Sequence, residues 1–205
     1  MRLITKEEMR RVFSMTEAIE AMKQAFRLFS EGRSVVPLRT NINVGKYEGQ
    51  ALFMPAYVEE TQSLGLKIVS VFPGNPKLGK PVVPATMVHM DSQTGEVLAI
   101  MDGTYLTQVR TGAAAGAATD LLARKDATVG ALIGAGGQSS AQLEAMLTAR
   151  KLKEVRVFDA DETRAKETAK TQGEIWEKAG VRIVTSRSGE EAVDGADVIT
   201  TVTTA

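Results

Sequence analysis

Cysteine is absent from the 205 residues and histidine occurs once. Without thiols there is no disulfide, no thiolate nucleophile and no sulfur ligand, and one imidazole cannot build a histidine-rich metal site. No metal is expected. An excess of one charge is missing too, since 25 Lys and Arg stand against 25 Asp and Glu. That balance removes the long-range positive field on which nonspecific nucleic-acid or anionic-membrane binding depends. A small molecule is the expected partner, with no nucleic acid and no membrane. Apolar runs stay far short of the ~18 residues that suggest a bilayer-spanning helix. The start, "MRLITKEEMRR", carries charges where a signal peptide needs an apolar stretch. The chain therefore reads as cytoplasmic.

What is present is an ordinary globular composition, 43% apolar and 24% charged, able to bury a core unaided. The length fits two small domains, placed at 1–122 and 123–205. Thr5-Lys6-Glu7-Glu8 and Ser14-Met15-Thr16-Glu17 both match the capping box that opens a helix. Ala18, Ile19, Met22, Ala25, Phe26 and Phe29 then recur at helical spacing, and Gly32 supplies the stop. From Val35 to Met101 short apolar runs are broken by Gly, Pro and Asn. Two of them, "ATMVHMD" and "EVLAIMD", flank "SQTG" and predict a hairpin. This region reads as a mixed sheet packed on the N-terminal helix. The Ala/Gly-rich stretch "TYLTQVRTGAAAGAATDLLA" predicts a helix bridging the two domains.

Beyond it strand and helix alternate, through "ATVGALIG", Gln138 to Arg150, "EVRVFDAD", Glu162 to Lys178, "VRIVTS", a short helix led by Ser188-Gly189-Glu190-Glu191, and "DVITTVT". Such alternation predicts a parallel sheet with right-handed crossovers. The glycines of "IGAGGQSS" fall where the first of these strands gives way to a helix. Gly134 permits the tight turn, Gly136 lets backbone approach a diphosphate, and the helix N-terminus offers amides to the phosphates. Ser139 stands where a third Gly or Ala is usual. Asp159 closes the next strand about 20 residues on, where a carboxylate accepts both hydroxyls of an adenosine ribose. NAD is the expected cofactor, with NADP as the alternative because Arg164 lies nearby. The bland alternative is a ligand-free turn, with Asp159 capping the next helix. Thr201, Thr203 and Thr204 end the last strand, and Thr203 is a candidate cofactor neighbour.

Cations set among apolar residues need a partner. Arg39 in "VVPLRTN", Lys67 in "LGLKIVSVF" and Arg110 in "YLTQVRTG" fit that description, as candidates to hold a substrate carboxylate. The alternative for each is a solvent-facing charge, and periodicity does not decide. His89 reads as structural or exposed.

The segments "VVPLRT", "LGLKIVSVFPGNP", "TGEVLAIMDGTYLTQVRTGAAAGAATDLLA", "IGAGGQSSAQLEAM", "VRVFDAD" and "ADVITTVTTA" together resemble the ornithine cyclodeaminase and mu-crystallin family over nearly the whole chain. The resemblance implies an α/β protein, a Rossmann-type doubly wound parallel sheet preceded by an α+β substrate and dimerisation domain. It implies a homodimeric, NAD(P)-linked enzyme acting on a small amino or imino acid. Position by position, Arg39, Lys67 and Arg110 match the family's substrate-carboxylate cluster, Gly137 and Gln138 its phosphate contacts, Asp159 its ribose acid and Thr203 a cofactor contact. Val83 departs from a cofactor-contacting Thr. Family members continue past Ala205, completing the sheet and supplying a catalytic Asp, so this chain is expected to be a fragment, inactive by itself. The leading expectation is conversion of ornithine to proline and ammonia through an imine. The alternatives are alanine dehydrogenase or cyclic ketimine (pyrroline-2-carboxylate) reductase chemistry, or a noncatalytic mu-crystallin-like binding protein.

Overall fold

A computed structural model describes residues 1–203, so Thr204 lies outside the described residues. The first strand, β1 (Arg2–Ile4), ends at Thr5, which starts α1 (Lys6–Val12) by the reciprocal bonds of a capping box. Its hydroxyl accepts the Glu8 amide, and the Glu8 carboxylate accepts the Thr5 amide at 2.8 Å. Helix α2 (Met15–Ser30) ends at Gly32, whose φ of +69° turns the amides of Gly32 and Arg33 back onto the carbonyls of Phe29 and Leu28. Met15, Ala18, Ile19 and Leu28 are buried, whereas Phe26 and Phe29, predicted on the same stripe, are exposed.

By its contacts the chain forms two compact units, residues 1–14 with 24–107 and residues 15–23 with 108–205. The first is built on a mixed sheet of β1, β2 (Ser34–Val35), β3 (Thr40–Val44), β4 (Gly49–Val58), β5 (Ser63–Val71), β6 (Ala85–Asp91) and β7 (Val97–Asp102). Among the described residues the order is β1-β7-β6-β5-β4-β2, with β3 also paired to β4. Only the β1–β7 ladder is parallel among these pairs. The hairpin between β6 and β7 forms where "SQTG" predicts it. There the Asp91 carboxylate accepts the amides of Gln93 and Thr94 at 2.7 and 2.9 Å.

The second unit holds most of α3 (Gly103–Leu122), then β8 (Val129–Ile133), α4 (Ser139–Ala149), β9 (Glu154–Phe158), α5 (Glu162–Trp176), β10 (Arg182–Thr185), α6 (Gly189–Val193) and β11 (Val198–Thr201). Every strand pair described here is parallel, in the order β10-β9-β8-β11. Strand order thus reverses at β8, the switch point of a Rossmann-type sheet, and the expected fold class holds. Leu132, Leu143, Met146, Val155 and Val157 form the fully buried centre. At α6 the Ser188 hydroxyl accepts the Glu191 amide, but the Glu191 carboxylate takes the Arg187 amide, so the box there is half formed.

The sequence predicts that α2 packs wholly with the mixed sheet, and it does not. Residues 15–23 fall in the second unit, where Ile19 lies over Gly116 and Lys23 pairs with Asp120 at 2.6 Å. The physical reason is the Ala/Gly-rich face of α3, which admits close neighbours. A Cβ on Gly112 would collide with the Ala141 carbonyl oxygen of α4, so the two helices meet backbone to backbone.

Asp120 sits among Lys23, Arg150 at 2.7 Å and Lys125 at 3.7 Å. The bonds from Lys23 and then Arg150 hold its pKa down from an ordinary 3.8 to about 2. A carboxyl group depressed in this way adds stability above its unfolded pKa and loses it as pH falls through the folded one. Stability should therefore decline from pH 3.8 toward about 2 through this group. Asp120→Asn should flatten that part of the curve of denaturation midpoint against pH. An unchanged slope in the variant would remove Asp120 from the account.

Candidate functional site

Strand β8 ends at Ile133, and the chain must turn before α4 can start. Gly134 makes the turn with φ +111°, and a Cβ there would stand 2.8 Å from the Val202 carbonyl oxygen. Its role is internal. Gly136 and Gly137 differ, since they are exposed and a Cβ on either meets nothing within 4 Å. Among the described residues their amides, and that of Gln138, donate to no acceptor, and α4 has no side-chain cap and no acid in its first turn. The Gln138 side-chain oxygen is buried there without a donor. Open amides, the positive end of an 11-residue helix and bare space over two glycines fit a diphosphate.

Two groups that sequence reasoning missed fix this turn. The Ser139 hydroxyl, at the position of the usual third glycine, donates to the Gly136 carbonyl at 2.7 Å, and Gln108 Nε2 donates to the Gly137 carbonyl at 3.0 Å. Ser139 carried a signal in being the one departure from the motif. Gln108 carried none.

Asp159 follows β9 beside the turn. Its carboxylate accepts the Ala135 amide at 2.7 Å, the Asp161 amide at 2.8 Å and Arg164 at 3.1 Å. The Ala135 amide first, then the Asp161 amide, hold its pKa below the usual value against the desolvation that raises it. Asp159 is not the cap of α5, because Asp161 accepts the amides of Thr163 and Arg164 in that role. A carboxylate offers about four acceptor positions, and three donors occupy them here. One ribose hydroxyl fits directly. The second, expected from sequence, requires the exposed Arg164 to swing aside. Phe158, Asp159, Ala165, Ser186 and Arg187 line a cleft of about 690 Å³ at this end of the sheet. Thr203 is exposed just past β11, next to Val202, whose amide bonds the Ile133 carbonyl at 2.8 Å. The structure thus brings Gly134, Gly136, Gly137, Gln138, Asp159 and Thr203 to the same end of one sheet, outside the carboxyl ends of its strands.

The substrate candidates divide. Lys67 is half-buried on β5, paired across the sheet with Met54 and Met87. Arg39 is exposed in the loop one residue before the β3–β4 ladder, which opens with Thr40 opposite Phe53. Arg110 belongs to the other unit, exposed on α3 and without a salt bridge among the described residues, and loss of water lowers its pKa from the ordinary arginine value. His89 is half-buried on β6. Among the described residues no helix is long and apolar enough to cross a membrane, and no group of three or more His, Cys, Asp and Glu is placed to hold a metal.

The profile of the ornithine cyclodeaminase/mu-crystallin family matches residues 2–205. A Delta(1)-pyrroline-2-carboxylate reductase of Bacillus cereus is 37% identical over 205 residues, covering all of this chain and 62% of that protein. The structure of Thermococcus litoralis Delta(1)-pyrroline-2-carboxylate reductase in complex with NADH and L-proline superposes with a TM-score of 0.92 at 40% identity, covering all of this chain and 62% of that one. An archaeal alanine dehydrogenase dimer with bound NAD gives 0.86 at 37% identity, covering 98% and 60%. This chain spans 62% of the length of the curated reductase it matches. These relatives favour the reductase alternative over the leading cyclodeaminase expectation.

Proposed function

The chain belongs to the ornithine cyclodeaminase/mu-crystallin family, and from that premise we propose that the complete enzyme is an NADH-dependent reductase of a small cyclic imino acid such as Delta(1)-pyrroline-2-carboxylate. The observation that carries this reading is the pair of exposed, unhindered glycines before α4, with the unbonded amides around them and Asp159 alongside. Similarity to a reductase that binds NADH and proline supplies the substrate class.

In this reading residues 123–205 hold the dinucleotide and residues 1–122 hold the substrate and form a homodimer. The amides of Gly136, Gly137 and Gln138 take the diphosphate, Asp159 takes the ribose and repels a 2′-phosphate, and Thr203 borders the cofactor. NADH, if held there, would supply a hydride for the carbon of the C=N bond. Arg39, Lys67 and Arg110 hold the carboxylate on that carbon, which fixes the face presented for transfer. The ring nitrogen takes a proton from solvent, which makes the carbon electron-poor for the hydride, and it ends as the secondary amine of proline.

The test is an assay of the complete enzyme with pyrroline-2-carboxylate and NADH, following loss of NADH and appearance of proline. One proline per NADH consumed is expected. Proline formed from ornithine with NAD, and no reduction of the cyclic imine, would return the assignment to a cyclodeaminase.

A further inference from the structure

Resting on the NADH-dependent reading above, we propose that Gln108 and Ser139 are positioning residues for the cofactor, which aim the amides of Gly137 and Gln138 at its diphosphate before it arrives. Gly136 and Gly137 are adjacent and exposed, and glycine has the widest choice of backbone conformation, so an unrestrained pair would present its amides in many directions. Two side chains remove that freedom. Ser139, 3% exposed, donates from its hydroxyl to the Gly136 carbonyl at 2.7 Å and from its amide to the same oxygen at 3.0 Å. Gln108, on α3, donates from Nε2 to the Gly137 carbonyl at 3.0 Å. The two held carbonyls belong to consecutive peptides.

Both peptides are trans, and a planar trans peptide sets the carbonyl of one residue and the amide of the next on opposite sides of the chain. Holding the Gly136 carbonyl toward Ser139 therefore turns the Gly137 amide away from it. Holding the Gly137 carbonyl toward Gln108 turns the Gln138 amide away in the same manner. These two amides bond no acceptor among the described residues. A flip of either peptide would point a carbonyl oxygen at the diphosphate in place of a donor, so the two side chains both aim the donors and exclude the repulsive arrangement. Ordering the turn during folding removes that cost from binding. The fold itself does not depend on either bond. Without its hydroxyl, residue 139 still offers its amide to the Gly136 carbonyl, and alanine is a usual residue at this place in dinucleotide-binding turns. Gly137 is exposed, so water replaces Gln108 at its carbonyl.

The experiment titrates the complete enzyme and its Gln108→Ala and Ser139→Ala variants with NADH, ADP and adenosine, beside unfolding curves without ligand. Each substitution is expected to weaken NADH and ADP about tenfold, the size of one hydrogen bond. Adenosine lacks the diphosphate, and its affinity should stay at the parent value. In steady state KM for NADH should rise while kcat at saturating NADH holds, and the denaturation midpoints should not move. If Gln108→Ala does not fold, Gln108→Met, of similar length and without a donor, takes its place with the same expected loss. NADH affinity within about twofold of the parent in the folded variants overturns the proposal. An equal loss for adenosine overturns it likewise, since the side chains would then support the domain at large. In both cases the binding of NADH by the parent leaves the reductase reading standing. A parent enzyme that binds no NADH removes that reading, and the positioning assignment with it.

Discussion

Gly136→Val is expected to weaken NADH binding strongly while leaving the fold untouched. The added side chain meets nothing of the protein within 4 Å of its Cβ, so the denaturation midpoint should stay where it is. The same side chain fills the space a diphosphate needs over the amides of Gly136, Gly137 and Gln138. A loss of about 100-fold in affinity, roughly 2.8 kcal/mol, is the expected size. Gly134→Val is its counterpart. There φ is +111° and the Val202 carbonyl is in the way, so the cost falls on stability. Strain of about 1–3 kcal/mol, with the collision added, should lower the midpoint in the absence of any ligand. Titration of NADH against both variants, beside their unfolding curves, separates the two roles. Equal loss of stability in both would mean that Gly136 serves the turn and has no part in ligand approach.

The second large effect is expected at Arg150, which closes α4 and is 5% exposed. Its guanidinium donates to the carbonyls of Asp120, Ala123, Arg124 and Ala149 and to the Asp120 carboxylate, at distances between 2.6 and 2.9 Å. Three of those carbonyls belong to the end of α3 and the residues just after it, where a helix leaves acceptors without partners. Arg150→Met keeps the apolar stem and deletes every donor. Several buried acceptors then lose their hydrogen bonds, and Asp120 keeps Lys23 as its main partner. A loss of about 3–5 kcal/mol is expected, a large share of the 5–15 kcal/mol that holds a typical domain. Chemical denaturation of the variant measures it. A change under about 1 kcal/mol would place this arginine among ordinary surface charges.

How much of this could be read from the sequence follows the range of each interaction. The turn after β8, the acid after β9 and the parallel order of the last four strands were legible, because alternation of strand and helix and the spacing of glycines are local signals. The capping box at Thr5 was legible for the same reason. The division of α2 was not. Its spacing marks one apolar stripe, but which residues cover that stripe depends on α3, nearly a hundred positions away, where Gly116 leaves room for Ile19. Lys67 was ambiguous because its chain neighbours say nothing of its face. Its face is given by its pairing with Met54 and Met87 on the neighbouring strands. Gln108 was invisible, since the acceptor it serves is a carbonyl of the glycine turn on a separate element. The position of Asp159 after β9 was legible, whereas the three internal donors that its carboxylate accepts are reported by no motif.

The central claim is that the turn from Gly134 to Gln138 binds the diphosphate of a nicotinamide dinucleotide whose ribose is held by Asp159. The most direct measurement is calorimetric titration of the protein with NADH and, separately, with NADPH at the same ionic strength. The account predicts saturable one-site binding of NADH, with NADPH weaker by about tenfold or more because a 2′-phosphate would face the Asp159 carboxylate. Failure of both nucleotides to bind would contradict it.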